Sequence, residues 1–407
     1  MKTVNDATWD FVRRHQNDDV RKVALQGTKG EEIDLPFALQ QIAGWQTAKK
    51  KLPSWAAVEG IVYPPHLNME QCSSEQTARY KTSLSQKEKG TFVDLTGGYG
   101  VDFYWMSKDF QQRVYVEQNE ELCTIVEGNL RLLGCNASVY NATASDFLST
   151  MEHVDIIYLD PARRNEYGGR TYGIGDCTPN VLELLPILME KTDRVILKLS
   201  PMLDWRKAMH DLKYVREVHI VSVNNECKEL LLVLEERNDA LNDCSLHCIN
   251  LLPDHTVQRF DVPCTDFPSL SNTPSGFSSS QDTPGFLYEP NASIMKAGCF
   301  AELEQRYAVH QLASNSHLFL SFDEIDDFPG RKFQIAAISS ANKKEFSKTL
   351  VNFSPPLKSA NIAVRNFPLT AEQLRKKMKL KDGGSTYIFA TTMANGLHQL
   401  FFCRKIG

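Results

Sequence analysis

Apolar positions recur at two different spacings along the chain, and the change between them divides it. In residues 1–90 they fall three and four apart: Trp9, Phe11 and Val12; Val20, Val23, Ala24 and Leu25; Leu39, Ile42, Ala43 and Trp45. That is the period of helices with one buried face, so this region is expected to be helical. The longest candidate, Leu35 to Ala48, runs into Lys49, Lys50 and Lys51 and stops at Pro53. The lysines read as a solvated helix end, where cations suit the macrodipole, or as a phosphate contact. Ser73 or Ser74 is placed to cap a helix carrying Thr77, Tyr80 and Lys81. From residue 91 to 238, short apolar runs alternate with helical stretches, the order of a parallel sheet in an α/β domain. Strands are expected at Phe92–Asp94, Arg113–Glu117, Ala137–Tyr140, Val154–Leu159 and Asp193–Pro201, with a closing antiparallel hairpin of Val215–Val223 and Glu229–Leu234. Residues 239–284 connect: Ile249–Leu252 and Val257–Val262 read as pairing strands, and Pro268–Pro284, rich in Ser, Pro, Gly and Thr, as a flexible loop or linker. Residues 285–330 compact again, with a helix running to Tyr307 and a strand at Leu318–Phe322. Residues 331–407 read βαβαββ, a small α+β module.

Chemistry gathers at the strand ends. Asp94 closes the first strand and is followed by Leu95, Thr96, Gly97, Gly98, Tyr99 and Gly100. Open α/β sheets bind ligands outside the carboxyl ends of their strands, and glycine lets backbone approach a ligand closely. Glu117 ends the next strand, 23 positions after Asp94 (117 − 94). An acid about 20 residues past a glycine turn is placed to hold ribose hydroxyls, although the dinucleotide pattern Gly-x-Gly-x-x-Gly is absent. Asp146 and Phe147 follow the third strand, and Asp160-Pro161-Ala162-Arg163-Arg164 stands at the end of the fourth.

Composition narrows the partners. The 407 residues suggest about two or three domains. A net charge of −5 gives no global basic field, so a nucleic-acid surface has to be local. One stretch qualifies: between Asn361 and Gly383, Arg365, Arg375, Lys376, Lys377, Lys379 and Lys381 face only Glu372 and Asp382, six cations against two acids, with Phe367 among them. It reads as a phosphate-binding face or as a solvated helix face. The ten cysteines form no C-x-x-C pair, and Cys244 and Cys248 lack a second pair to complete a zinc pattern. Scattered cysteines suit a reducing compartment. No run reaches the roughly 18 apolar residues of a membrane span, and the first residues lack a leader-like apolar stretch. The expectation is a cytoplasmic protein with no metal and no membrane partner.

The segment Asp94-Leu-Thr-Gly-Gly-Tyr-Gly100 resembles motif I of class I S-adenosylmethionine-dependent methyltransferases, with Thr96 where that family usually has its first glycine. Glu117, Asp146-Phe147 and Asp160-Pro161 follow at successive strand ends in the family's order. The resemblance implies a Rossmann-like seven-stranded sheet over residues 91–238 behind the N-terminal helical region. It implies that Asp94, Thr96, Gly97, Gly98, Gly100 and Glu117 bind S-adenosylmethionine, with Asp94 near its amino-acid moiety and Glu117 at the ribose. Asp146 and Phe147 would hold the adenine, although Asp146 also fits the role of a helix N-cap. Asp160-Pro161 resembles motif IV of amino-group methyltransferases, where the side-chain oxygen and a backbone carbonyl accept hydrogen bonds from the target NH₂; their effect is positioning and electrostatics. Ala162 and Arg163 replace that motif's second proline and its aromatic residue. A stacking ring would then come from Tyr167 or Tyr172, in a glycine-rich stretch expected to be a mobile loop. Arg163 and Arg164 would grip phosphate or stack on a base, or else pair with Glu166 or Asp176.

Across the whole chain, those motifs together with Cys72-Ser-Ser-Glu-Gln-Thr-Ala, Tyr288-Glu-Pro-Asn-Ala and Arg365-Asn-Phe-Pro resemble bacterial class I methyltransferases that carry a ferredoxin-like segment (285–330) and a THUMP-like domain (331–407). The catalytic domain is also similar to RNA cap guanine N2-methyltransferases. The resemblance implies structured RNA, a tRNA or an rRNA, as the substrate, with Arg163, Arg164, Tyr172, Arg365, Arg375, Lys376 and Lys377 as its contacts. Two other readings stay open: a non-catalytic RNA-binding protein that keeps the fold, and a methyltransferase of protein or a small molecule, for which the basic stretch is incidental.

Overall fold

The computed structural model describes residues 4–28, 32–85, 90–163, 173–236, 244–264 and 284–406. It forms two units, one of Met1–Val218 with Glu229–Ala240 and one of His219–Lys228 with Leu241–Gly407. Arg164, Tyr167, Tyr172 and most of the Pro268–Pro284 stretch lie outside the described residues, as does the side chain of Arg163.

The strands of the first unit are β1 (Thr91–Asp94), β2 (Gln112–Glu117), β3 (Ser138–Asn141), β4 (Val154–Leu159) and β5 (Thr192–Leu199), together with the Val215–Val218 part of β6 (Val215–Val223) and the Glu229–Glu235 part of β7 (Glu226–Glu235). They stand in the order β3-β2-β1-β4-β5-β7-β6. β1 to β5 pair in parallel and β7 runs antiparallel to β5, so the expected sheet with a closing hairpin is what forms. Strands covered on both faces need continuous apolar runs. Phe92, Val93, Ile156, Ile157, Val195 and Ile196 supply them and are all buried. From β1 the chain steps outward to β2 and β3, then returns to the opposite side of β1 as β4. The carboxyl ends of β1 and β4 therefore flank the point where the strand order reverses, with Asp94 paired in register to Tyr158.

The N-terminal region is helical as its spacing predicts: α1 (Asp6–His15), α2 (Val20–Gln26), α3 (Leu35–Lys51), α4 (Pro53–Ala56), α5 (His66–Gln71) and α6 (Glu75–Thr82). Phe11, Val12, Val23, Ala38 and Ile42 form the core of the first three. Asn5, Asp19, Asp34 and Ser74 cap α1, α2, α3 and α6 through their side chains. Lys51 closes α3 by donating to the carbonyls of Met69 and Glu70, a local structural duty. Helices α7 (Val101–Met106), α8 (Glu120–Leu132) and α9 (Ala144–Thr150) follow β1, β2 and β3 in turn. The segment between α4 and α5 is clamped by side-chain amides. Asn129 of α8 accepts from Val62 N at 2.9 Å and donates to Val62 O at 2.8 Å. Gln41 of α3 does the same for Tyr63, at 2.8 and 3.0 Å.

In the second unit, β8 (Ser245–Leu251) and β9 (Val257–Pro263) pair as an antiparallel hairpin, as expected. A seven-stranded sheet follows, built from β10 (Phe286–Pro290), β11 (His310–Gln311), β12 (Phe319–Ser321), β13 (Gly330–Ser340), β14 (Asn361–Arg365), β15 (Thr386–Thr392) and β16 (His398–Ile406), in the order β11-β12-β10-β13-β16-β15-β14. β13 to β16, with helices Lys343–Asn352 and Ala371–Met378, keep the βαβαββ order. β10 is an addition to the elements expected from sequence. Its run is short and ends in Glu289 and Pro290, yet Leu287 pairs with Phe333 of β13, so the strands of 285–330 and 331–407 make one sheet. Among the described residues no helix is long and apolar enough to cross a membrane.

Candidate active site

The turn after β1 is built for glycine in three ways. Gly98 and Gly100 sit at φ +54° and +76°, where side chains are strained, and Gly100 caps α7 in the left-handed conformation. At Gly97 a Cβ would stand 2.1 Å from the Tyr115 ring, which lies beneath the turn and donates its hydroxyl to Gly98 O at 2.5 Å. Where a Cβ of Gly98 would project, Thr96 O at 3.8 Å is, among the described residues and apart from the two adjoining ones, the sole atom within 4 Å, so the backbone there is open on that side.

Three carboxylates border this turn. Asp94 is 1% exposed and accepts from Thr96 N at 2.9 Å. Burial pushes its carboxyl well above the ordinary range, outweighing the Thr96 N–H, and Asp102, Asp160 and Glu117 push it further. Glu117, at the end of β2, accepts from Gly98 N and from Asn119 N, each at 2.9 Å, and so ties the turn to the neighbouring strand. Asp160 follows β4, and its backbone N–H donates to Thr96 Oγ1 at 2.6 Å. The Thr96 departure from motif I therefore has a structural purpose: its hydroxyl bridges the β1 turn to the β4 end.

Behind Asp160 runs a string of alternating charges. Lys198 of β5 is ion-paired with Asp160 Oδ2 and stands 3.7 Å from Asp102. Asp102 meets Lys81 of α6 at 3.0 Å, and Lys81 meets Glu229 of β7 at 2.7 Å. Lys81 is 0% exposed, and Glu229, Asp102 and Lys198 are buried with it. Hydroxyls fill the remaining positions. Tyr158 donates to Asp102 at 2.8 Å, while Ser73 accepts from Lys81 at 2.9 Å and stands 2.7 Å from Asp102 and 3.1 Å from Glu229. Burial alone would raise the Asp102 carboxyl, but Lys81, Lys198, Ser73 and Tyr158 bring it down to about 2. Burial opposes the Lys198 ammonium, yet Asp160, Asp102 and Glu229 together hold its pKa above the ordinary lysine value.

Asp146 and Phe147 stand in the first turn of α9, which starts just past the carboxyl end of β3. The N-cap is Thr143, which accepts from Asp146 N at 3.1 Å, so the capping role considered for Asp146 belongs to Thr143. Asp146 is exposed and accepts from the Thr143 hydroxyl; Phe147 is half-buried against Tyr140, ring centroids 4.9 Å apart. Pro161 is buried, and Ala162–Arg163 pairs with Cys177–Thr178.

The basic residues of the second unit are not a single free patch. Arg365 and Arg331 both pair with the buried Glu289, Arg365 at 2.6 Å. Arg375 pairs with Asp382 at 2.5 Å, and Lys376 pairs with Glu372 at 3.0 Å. Lys377 Nζ lies 6.0 Å from the Phe346 ring centroid. Arg375, Lys376 and Lys377 are consecutive on one helix, so they point in different directions.

Sequence reasoning missed Ser73, Lys81, Asp102, Tyr158, Lys198 and Glu229 as parts of the site. One signal was available: a lysine inside the otherwise apolar run Val195-Ile-Leu-Lys-Leu199 has to find a charge partner when that strand is buried.

The fold is that of a class I methyltransferase, and comparison with known proteins agrees. Family models match three stretches: one described as conserved hypothetical protein 95 over residues 76–168, a ferredoxin-like domain over 286–329, and one described as THUMP domain-like over 330–405. The crystal structure of a candidate methyltransferase from Porphyromonas gingivalis W83 is 31% identical, covers 98% of each chain and superposes with a TM-score of 0.84. The chain belongs to the family of that protein and is a methyltransferase. M. capricolum TrmK, solved in complex with S-adenosyl-homocysteine, is 10% identical over 40% of this chain and 71% of its own, with a TM-score of 0.32. The candidate RNA methyltransferase PH1948 from Pyrococcus horikoshii is 16% identical over 47% and 97%, with a TM-score of 0.34. Likeness this low carries no argument about ligand or substrate. No curated protein matches the chain.

Proposed function

We propose that the protein uses S-adenosylmethionine to methylate an exocyclic amino or ring nitrogen of a base in structured RNA, a tRNA or an rRNA. The observation that carries this reading is the set of three carboxylates, Asp94, Glu117 and Asp160, around an open glycine turn at the reversal point of the sheet. S-adenosylmethionine carries a sulfonium and an ammonium cation, and acids bordering the turn suit both. A cation beside Asp94 would restore the ionised form that burial disfavours. Glu117 accepts one N–H at each oxygen and keeps lone pairs for vicinal hydroxyls. Gly98 leaves the ground above the turn open, and Thr96, Gly97 and Gly100 shape it. Asp146 and Phe147, on the same edge of the sheet, would take the adenine.

Bound there, S-adenosylmethionine supplies an electrophilic methyl group. The chain's own task is to orient the acceptor. Asp160, with the Pro161 carbonyl, accepts hydrogen bonds from the target amine, aims its lone pair, and offsets the positive charge that grows on nitrogen. No metal is required. The THUMP-like match supports RNA as the substrate, with Arg365, Arg375, Lys376 and Lys377 as phosphate contacts in the second unit and Arg163, Arg164 and Tyr172 beyond motif IV. The reading places the protein in the cytoplasm.

Calorimetric titration with S-adenosylmethionine, with NADH as control, tests the cofactor. Micromolar binding that is lost in Asp94→Ala and in Glu117→Ala is expected; absence of binding overturns the reading. Tritiated-methyl transfer to total RNA tests the substrate. Asp160→Ala should abolish transfer while leaving cofactor affinity intact. Transfer to protein or small molecules alone would assign a different acceptor.

A further inference from the structure

We propose that Lys198, itself held by Asp102, Lys81, Ser73 and Glu229, is a positioning residue that fixes the Asp160 carboxylate for the acceptor nitrogen. The proposal rests on the role given to Asp160 above.

A carboxylate at a strand end, a third exposed, is free to rotate and to hydrate. Asp160 is held at both ends. Its backbone N–H is held by Thr96, and Lys198, from the adjacent parallel strand, engages Oδ2. A single buried lysine would do this at a cost to the chemistry. Its charge would cancel that of Asp160 next to a nitrogen that becomes positive during methyl transfer. The string behind it removes that conflict. Lys198 is shared with Asp102, Asp102 with Lys81, and Lys81 with Glu229, so both ends of the string are carboxylates. Two cations against three acids leave the array net negative while every cation is satisfied. Lys198 can then orient Asp160 without neutralising the site.

The components come from separate parts of the first unit: Ser73 and Lys81 from the N-terminal region, Asp102 from α7, Asp160 and Lys198 from adjacent strand ends, and Glu229 from β7. Among the described residues, the other titratable groups facing the string are Asp94 at the glycine turn, the Tyr158 hydroxyl, and the Cys72 thiol, which feels Asp102, Lys198 and Lys51. Lys51 is engaged by the Met69 and Glu70 carbonyls.

The test compares Lys198→Met and Lys198→Arg with wild type in the full chain. The activity-free readout is the titration of the Asp160 carboxyl, followed by carbon-13 NMR of protein labelled at the aspartate carboxyls and assigned with Asp160→Asn. Without the lysine, the Asp160 carboxyl should titrate at higher pH; with arginine it should stay near wild type. In single-turnover methyl transfer to total RNA, Lys198→Met should be slower by about 30- to 100-fold, the scale of a misplaced reacting group. S-adenosylhomocysteine affinity should stay within about threefold, because the loss is one of positioning and not of binding. The acid limb of the pH–rate profile should move up with the carboxyl, and Lys198→Arg should recover most of the rate. Lys198→Gln, which keeps polarity without charge, serves if the methionine variant does not fold. An unchanged Asp160 titration in the methionine or glutamine variant overturns the proposal, and so does an unchanged rate. If wild type binds cofactor but methylates no RNA, the substrate reading fails, and the carboxyl titration still decides the role of Lys198.

Discussion

Replacing Lys81 by methionine tests the buried charge string without touching the reacting groups. The substitution keeps length and volume and removes one positive charge from a site with no solvent exposure. Asp102 retains Lys198, Ser73 and Tyr158, whereas Glu229 loses its ion pair and, among the described residues, keeps Ser73. Stranding one member of a buried pair costs about 3–5 kcal/mol, and the partners left to Asp102 place this case near the lower figure. The first unit holds 230 residues (218 + 12). At that size about 3 kcal/mol lowers the melting temperature by roughly 6–12 °C. Tryptophan fluorescence reports this unit selectively, because Trp9, Trp45, Trp55, Trp105 and Trp205 all lie in it. The pH dependence supplies a second constraint. In wild type the Asp102 carboxyl is held at about 2, below its ordinary 3.8, so its stabilisation is complete above the ordinary value and is lost as pH falls toward 2. In the variant a stranded carboxylate has its pKa raised, so its penalty is greatest at neutral pH and is relieved on protonation. The gap between the two proteins should therefore narrow from about pH 7.5 to about pH 4.5. Adding Glu229→Gln to the variant should recover part of the loss. A deficit under about 2 °C at neutral pH, or one that ignores acidification, would refute the account of the string as a set of mutually dependent charges.

Three further outcomes follow from the geometry. Gly97→Ala drives a methyl into the Tyr115 ring and should cost about 1–3 kcal/mol in urea denaturation while weakening cofactor binding; a variant as stable as wild type would mean the ring yields freely. Glu117→Ala leaves the Gly98 and Asn119 amides without their acceptor and removes the ribose contact, so calorimetry should show cofactor affinity falling by more than about tenfold; this is one hydrogen-bonded charge lost. Arg365→Ala leaves Glu289 paired to Arg331, so the second unit should stay folded by circular dichroism, while the salt slope of RNA binding should fall by about one; an unchanged slope would remove Arg365 from the RNA contacts.

The parts of the site that the sequence made legible are those set by local chemistry. Asp94, Gly98, Gly100 and Glu117 could be placed because a strand end, a turn needing positive φ and an acid on the next strand are short-range patterns. The parallel sheet and its closing hairpin were legible because short apolar runs, buried on both faces in β1 and β4, alternate with helical stretches. The charge string was not legible. Lys81 and Glu229 are 148 positions apart, and nothing local to either says that the other exists. Thr96 looked like a departure from a motif because its partner, the Asp160 amide, is 64 residues away. Asp146 as an N-cap was misplaced by three residues, since Thr143 and Asp146 are both capable acceptors and only backbone geometry separates them. In the basic stretch at 361–383, read as a phosphate-binding or a solvated face, the pairing of Arg365 with Glu289 was not legible, because Glu289 lies on a strand whose own run was too short to be foreseen.

The double amide clamp on Val62 and Tyr63 has a consequence for how such a protein can be cut or recombined. Asn129 and Gln41 reach this segment from either side of it in sequence, and each saturates both polar groups of one peptide residue. Ser73 and Lys81, on the same side of the strand-one boundary, complete the ionic interior of the sheet. A truncation starting at Thr91 would thus strip Asn129 of both Val62 bonds, Glu229 of Lys81 and Ser73, and Asp102 of Lys81 and Ser73 at once. The first ninety residues are not an exchangeable cassette: a graft onto another catalytic sheet would have to carry its amide and carboxylate receptors with it.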